Sequence, residues 1–304
     1  MPTVYGAGLL RVQVDNASDA EYVGTNIQSK FNLAPVQDRQ QVAPKLTESL
    51  LTDGLYGNQA QQLLQLTARL APFNPPEVRR DVPWVTSTLQ LAGLAGGKYT
   101  TPPGVDLAAA AKASITRTLS VLNDTRYWTY FSPQWFTTKS EVSGDFHSNY
   151  LMRAFVAYWG YLQLADYEAI YPSLVDTLYI NTTYIVTFDG GKPNVTGFWS
   201  LTVYGSDEFL VKNQLGRYSL GDRSDITYDD GSLVYGPEST TNDPTKPFSL
   251  LLQSTDFAPA ENWTSKYVSY SIHLTDVLIL CSWIPTPALD ASGDGTFQIT
   301  RKLS

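Results

Sequence analysis

Two textures divide this chain. Up to Tyr171-Pro172 the apolar positions recur at helical spacing; beyond it they come in short runs rich in β-branched and aromatic residues. In the first part, Asn16-Ala17-Ser18 offers a helix start and Asp19 to Phe31 carries the helical pattern, which NLAPV breaks. Further helices are expected around Pro44 to Gly54, from Asn58 to Leu70 and from Pro83 to Leu91, with PFNPP and GGKYTTPPG as punctuation. Asp106 to Leu122 is the strongest, because its alanines favour helix and Asp106 is placed to cap it. Asp145 to Tyr167 reads as one more apolar helix.

Strand signals dominate the remainder. LYINTTYIVTF, GFWSLTVYG, FLVKN, FSLLLQS and YVSYSIHLTDVLILCSWI are separated by Gly, Pro, Asn and Asp clusters. Residues 4 to 15 also read as a strand. The expected fold class is therefore α+β, a jelly-roll-like antiparallel β-sandwich with a helical section before it. The expected division is a residual strand at 1–15, a mainly helical section at 16–172 and a sandwich at 173–304.

Composition narrows the chemistry. The 304 residues carry a net charge of -8, and Arg79-Arg80 is the nearest thing to a basic cluster, so nucleic acid is not an expected partner. No apolar run approaches the roughly 20 residues of a membrane span. The amino terminus lacks the regions of a signal peptide. Five N-x-S/T sequons, at Asn16, Asn123, Asn181, Asn194 and Asn262, nevertheless fit a glycoprotein of the secretory pathway; otherwise the chain is expected in the cytoplasm. Cys281, alone in VLILCSWIP, reads as core rather than nucleophile. With two histidines, His147 and His273, there is little material for zinc. GxGxxG, phosphate-loop and HExxH motifs are absent, and Gly205-Ser206-Asp207 is not a nucleophile elbow, so no cofactor is expected.

The succession FWSLTVYG, NQLGRYSLGDRSD, DGSL, PFSLLLQ and SWIPTP resembles the carboxy-terminal part of the family pairing domains of unknown function 1254 and 1214. GLLRVQVDNASDAEYVGTNIQSKFNLAPV is similar to that family's strand-plus-helix bridge, and GDFHSNYLMRAFVAYWG to the helix before its final sandwich. The resemblance implies jelly-roll-like domains joined by a helical insertion. It also implies a short form lacking most of the amino-terminal domain, with Leu9 to Val14 as an orphan strand edge. A homodimer covering that edge is the expected assembly.

Three groups of residues are candidates for function. Asp145, His147, Tyr150 and Arg153 are expected near one face of a helix start, with His147 as general acid or base and Tyr150 or Arg153 holding an oxygen anion. The plain alternative is Asp145 as a cap and Arg153 as an interface partner, and His147 departs from the smaller residue of the resembling family. Arg217, Tyr218, Asp222 and Arg223 of RYSLGDR can grip a carboxylate, or merely brace a turn. Tyr127, Trp128, Tyr130, Phe131, Trp135, Tyr158, Trp159 and Trp199 can line one cavity for a hydrophobic small molecule, or serve as core. His273, between Ile272 and Leu274, reads as a strand residue.

These features favour a cofactor-independent cyclase or isomerase acting on a hydrophobic natural product of secondary metabolism. The resemblance contributes the metabolic setting by analogy alone. The rival readings are a secreted, non-catalytic binding or structural β-sandwich and a carboxylate-dependent hydrolase.

Overall fold

Helical periodicity and period-two alternation each dominate one of two units, residues 1–115 and 116–304. The computed structural model describes residues 5, 12, 14, 17–32, 43–132, 135–160, 163–176, 182–205, 209–213, 216–237, 239, 243–254, 259–270, 277–285 and 297–303. The expected strand at 4–15 and His273 fall largely or wholly outside these residues.

In the first unit, α1 (Ala17–Tyr22) continues through a π turn to Ile27 and a 3-10 turn to Lys30, matching the expected helical stretch. α2 (Glu48–Thr52) is shorter than expected and starts where the Thr47 side chain accepts the Leu50 amide. α3 (Gln59–Leu70) opens on a reciprocal cap: Asn58 accepts the Gln61 amide while the Gln61 side chain accepts that of Asn58. α4 (Val82–Leu91) carries Pro83 in its first turn, where no amide is needed.

Next comes a small hairpin, β1 (Leu94–Ala95) and β2 (Lys98–Tyr99). Its turn residues Gly96 and Gly97 both have positive φ, which a two-residue hairpin loop of this kind demands. Leu94 and Tyr99 pack with Ala68, Leu64 and Leu89. Asp106 caps α5 (Leu107–Leu119), accepting the amides of Ala108 and Ala109.

The described residues of the second unit form two sheets. The six-stranded one runs β3 (Trp128–Tyr130), β4 (Phe136–Thr138), β5 (Ser173–Asp176), β11 (Val277–Pro285), β7 (Val195–Tyr204) and β8 (Ser219–Gly221). In the four-stranded one the order is β10 (Tyr267–Tyr270), β9 (Phe248–Ser254), β6 (Thr182–Phe188) and β12 (Phe297–Leu303). The α+β expectation holds. One pairing differs from the antiparallel expectation: β10 lies parallel to β9.

Alternation makes the shared core. Tyr184, Val186 and Phe188 of β6 and Phe248, Leu250 and Leu252 of β9 meet Trp199, Leu201 and Val203 of β7, with Leu174 and Leu220. A second core gathers Val121, Trp128, Val142, Met152, Phe155 and Val156 beneath α6 (Tyr150–Trp159).

Two sequence expectations need correction here. Of FLVKN, only Leu210 pairs, in a single bridge to Tyr204. The helix expected over Asp145 to Tyr167 is only Tyr150–Trp159. His147 takes a left-handed φ of 43°, which no right-handed helix accommodates, so the helix begins after it with Asn149 as cap. Gly160 ends it.

β8 approaches β7 so closely that a Cβ on Gly221 would lie 2.1 Å from the Trp199 carbonyl oxygen. Gly221→Ala must separate the two strands, and urea unfolding is expected to show a loss of about 2 kcal/mol or more. A loss below about 0.5 kcal/mol, the usual range for a surface substitution, would contradict this packing.

Candidate functional site

The loop from Gly144 to Asn149 is built before it is functional. Gly144, at φ 70°, sits so near the 163–166 segment that a Cβ would meet the Ala165 amide nitrogen at 2.3 Å. Its own amide donates to Gln163 Oε1, and Gln163 Nε2 donates to Thr138 Oγ1 on β4. Thr138 and Ser143 hydroxyls bond to each other in the interior, and Ser143 also reaches the Leu164 carbonyl. This ladder fixes the entry to the loop. Its exit is fixed by the Asn149 cap on the Met152 amide.

Between these anchors, Asp145 and His147 face one another. Asp145 Oδ1 accepts the His147 amide at 3.3 Å and lies 3.6 Å from His147 Nδ1. The second distance is too long for a hydrogen bond but short enough for the carboxylate to orient the ring. Both side chains are exposed. Among described non-glycine residues, His147 alone has positive φ. Such a backbone costs of the order of 1–3 kcal/mol and persists where its surroundings impose it.

Around this pair the chain places Phe146, which packs into the second core with Tyr127, Phe136 and Trp159. Beside it Ser148 buries its hydroxyl with no hydrogen-bond partner among the described residues. Tyr150 and Arg153, three apart on the first turn of α6, are half-buried. The expected four-residue constellation is thus split: Tyr150 and Arg153 share a helix, whereas Asp145 and His147 precede it. Asn149, not Asp145, caps it. Ser148 was not singled out in the sequence, because nothing in HSN distinguishes a buried serine from an exposed one.

RYSLGDR forms a brace. The Arg217 amide donates to the Asn213 side chain, whose nitrogen donates back to the Arg217 carbonyl. Asp222 Oδ1 accepts the Trp199 amide at 3.0 Å, beyond the end of the β7–β8 ladder. Tyr218 and Arg223 are exposed. The carboxylate expected to lie between two arginines therefore closes a strand end.

The aromatic residues do not gather around one centre. Trp135 and Trp199, each 1% exposed, belong to the sandwich core with Phe131 against them. Trp128, Tyr127 and Trp159 belong to the core under α6, where Trp128 meets Phe136 and Phe155 edge-on and Phe155 stacks on Trp159. Tyr130 and Tyr158 are exposed. The stretch RYWTYFSPQWF carries a hairpin whose strands feed one core and whose turn end feeds the other.

A further polar cluster escaped sequence reading. The hairpin around Thr227 to Leu233 turns at Gly231 (φ 83°) and carries adjacent aspartates. Asp229 accepts from Lys266 at 2.7 Å, and Asp230 accepts from Lys246 at 2.9 Å. Each lysine also lies over a ring, Lys266 over Trp263 at 4.5 Å and Lys246 over Tyr228 at 3.9 Å. Lys266 is 2% exposed, which a lysine tolerates only with its charge so matched. The lysines come from 16 and 37 residues away, beyond the reach of any local motif.

Known proteins resemble parts of the chain. A family model described as protein of unknown function, DUF1214, matches residues 175–252, from the end of β5 into β9. The VPA0106 protein of Vibrio parahaemolyticus is 18% identical with a TM-score of 0.45, over 94% of this chain and 66% of its own. An uncharacterized protein from Burkholderia cenocepacia is 11% identical with a TM-score of 0.29, over 74% of this chain and 51% of its own. The chain thus spans less than two thirds of the length of either. No curated protein matches it.

The strain at position 147 gives a direct check. His147→Gly relieves the left-handed backbone, whereas His147→Ala retains it. Chemical denaturation is expected to find the glycine variant more stable than the alanine variant by about 1 kcal/mol. Equal stabilities would show that the loop relaxes and that position 147 is not held.

Proposed function

We propose that the chain is a cofactor-independent cyclase or isomerase acting on a hydrophobic small molecule, of the kind made in secondary metabolism. The observation that carries this reading is His147, held left-handed between fixed anchors with Nδ1 turned towards Asp145. In this scheme Asp145 orients the ring. His147 Nε2 then removes a proton from the substrate and returns it at another carbon, so that the product has the composition of the substrate. Tyr150 or Arg153, on the first turn of α6, binds the oxygen on which charge develops. Phe146, the apolar ring within the loop, supplies contact for a hydrophobic body.

A second reading, a secreted binding or structural β-sandwich, draws on two observations. Trp135 and Trp199 are committed to the interior, and the three described sequon asparagines, Asn123, Asn194 and Asn262, are all exposed, as glycan attachment requires.

Mass conservation separates the two. An apolar metabolite extract incubated with the protein and followed by chromatography with mass detection is expected to show one compound declining as another of equal mass rises. His147→Ala is expected to slow that conversion by about 100-fold or more, the usual range for a lost general acid–base. Conversion that survives His147→Ala with Arg153→Ala would remove this site, and absence of any equal-mass conversion would favour the binding reading.

A further inference from the structure

Helix α4 is apolar on two opposite sides, and only one of them meets a core. Val82, Val85 and Leu89 follow one another at three- and four-residue spacing, and Leu89 packs with Leu64, Ala68, Leu94 and Tyr99. Trp84, Thr88 and Leu91 repeat that spacing on the other side, where Trp84 is 50% and Leu91 78% exposed. No residue of the helix is buried. A helix apolar all round belongs in an interior, yet this one keeps a row of its side chains open.

The open row carries no charge. From Val82 to Gly97 the chain has no charged residue at all. Thr88, in the middle of the row, donates its hydroxyl to the Trp84 carbonyl at 2.8 Å, so its proton is spent within the helix. Asp81, just before the helix, is buried. Arg80 has 83% of its side chain open and extends the row one turn towards the amino end. At the opposite end the last carbonyls of the helix gather partial negative charge. The next charge along the chain is Lys98, on the hairpin.

Such a row is complementary to itself. Trp84 and Leu91 lie equally far from a midpoint between Ser87 and Thr88, and both midpoint residues are small. A twofold axis at that midpoint runs two copies of α4 antiparallel and sets Trp84 of each against Leu91 of the other, as an isologous contact requires. Small residues at the crossing suit a helix separation of roughly 8–10 Å. Arg80 of each copy then approaches the carboxy end of the other helix, where a cation is favoured. Neither a lipid surface nor an unrelated partner calls for this symmetry.

We propose that the open face of α4 is the surface through which two copies of the chain associate. It uses residues of the first unit alone and none of the His147 loop, so it stands or falls separately from the acid–base reading. One helix on each side is a small contact, and a dissociation constant on the order of 10 μM is expected.

Sedimentation equilibrium of the full chain from about 1 to 200 μM tests this, with reversible dimerisation expected. Trp84→Ser and Leu91→Lys change exposed positions where the fold has little to lose. Each is expected to weaken the dimer about tenfold or more while the helical circular dichroism stays unchanged, so a folding defect in one leaves the other as the test. Arg80→Glu added to Leu91→Lys is expected to recover most of the lost affinity, because the new acid of each copy meets the new lysine of the other. A monomer throughout the range would overturn the proposal and leave the face to another protein or to a lipid surface. So would a dimer indifferent to both substitutions, or a Leu91→Lys defect that Arg80→Glu does not relieve.

Discussion

Trp199 is the residue on which the second unit depends. Its backbone sits in β7 between β8 and β11, and its amide is satisfied by the Asp222 carboxylate. Its carbonyl leaves room only for glycine at 221. Its indole bonds to Tyr235, and its ring meets Phe188 and Phe248 of the opposite sheet at 5.0 and 6.1 Å. One side chain thus couples strand pairing within a sheet to packing between sheets. Large rings contribute most to such a core because each buries so much apolar area.

That commitment separates architecture from chemistry. Aromatic side chains that fill cores are not free to line a cavity, and this chain divides them between the sandwich and the layer under α6. Asp145 and His147, left exposed, lie instead in the loop before α6. There, polar bonds among Thr138, Ser143 and Gln163 fix the backbone. The apolar rings act on the loop through Phe146, which ties it to the second core.

Much of this was legible along the chain. The helix start at Asn58, the cap at Asp106 and the alternation in TTYIVTF and FSLLLQS are local signals, and each appears in the fold. The extent of the helix near His147 was not, because LMRAFVAYWG continues an apolar pattern in both directions while one left-handed residue decides its start. The division of Trp128 from Trp135 was also hidden, since a hairpin seven residues apart gives no hint that its ends serve different cores. The pairing of β9 with β10 as parallel neighbours, and of Lys246 and Lys266 with consecutive aspartates, depends on tertiary closure.

The central claim is that a rigid aromatic sandwich carries an exposed, backbone-anchored histidine loop. Hydrogen exchange on the intact chain tests it most directly. Amides of Val186, Leu201 and Leu250 are expected to exchange only through global unfolding, and the Gly144 and Met152 amides that anchor the loop at least about 100-fold slower than unprotected amides. Unprotected exchange at Gly144 and Met152, or early exchange at Leu201, would contradict the account.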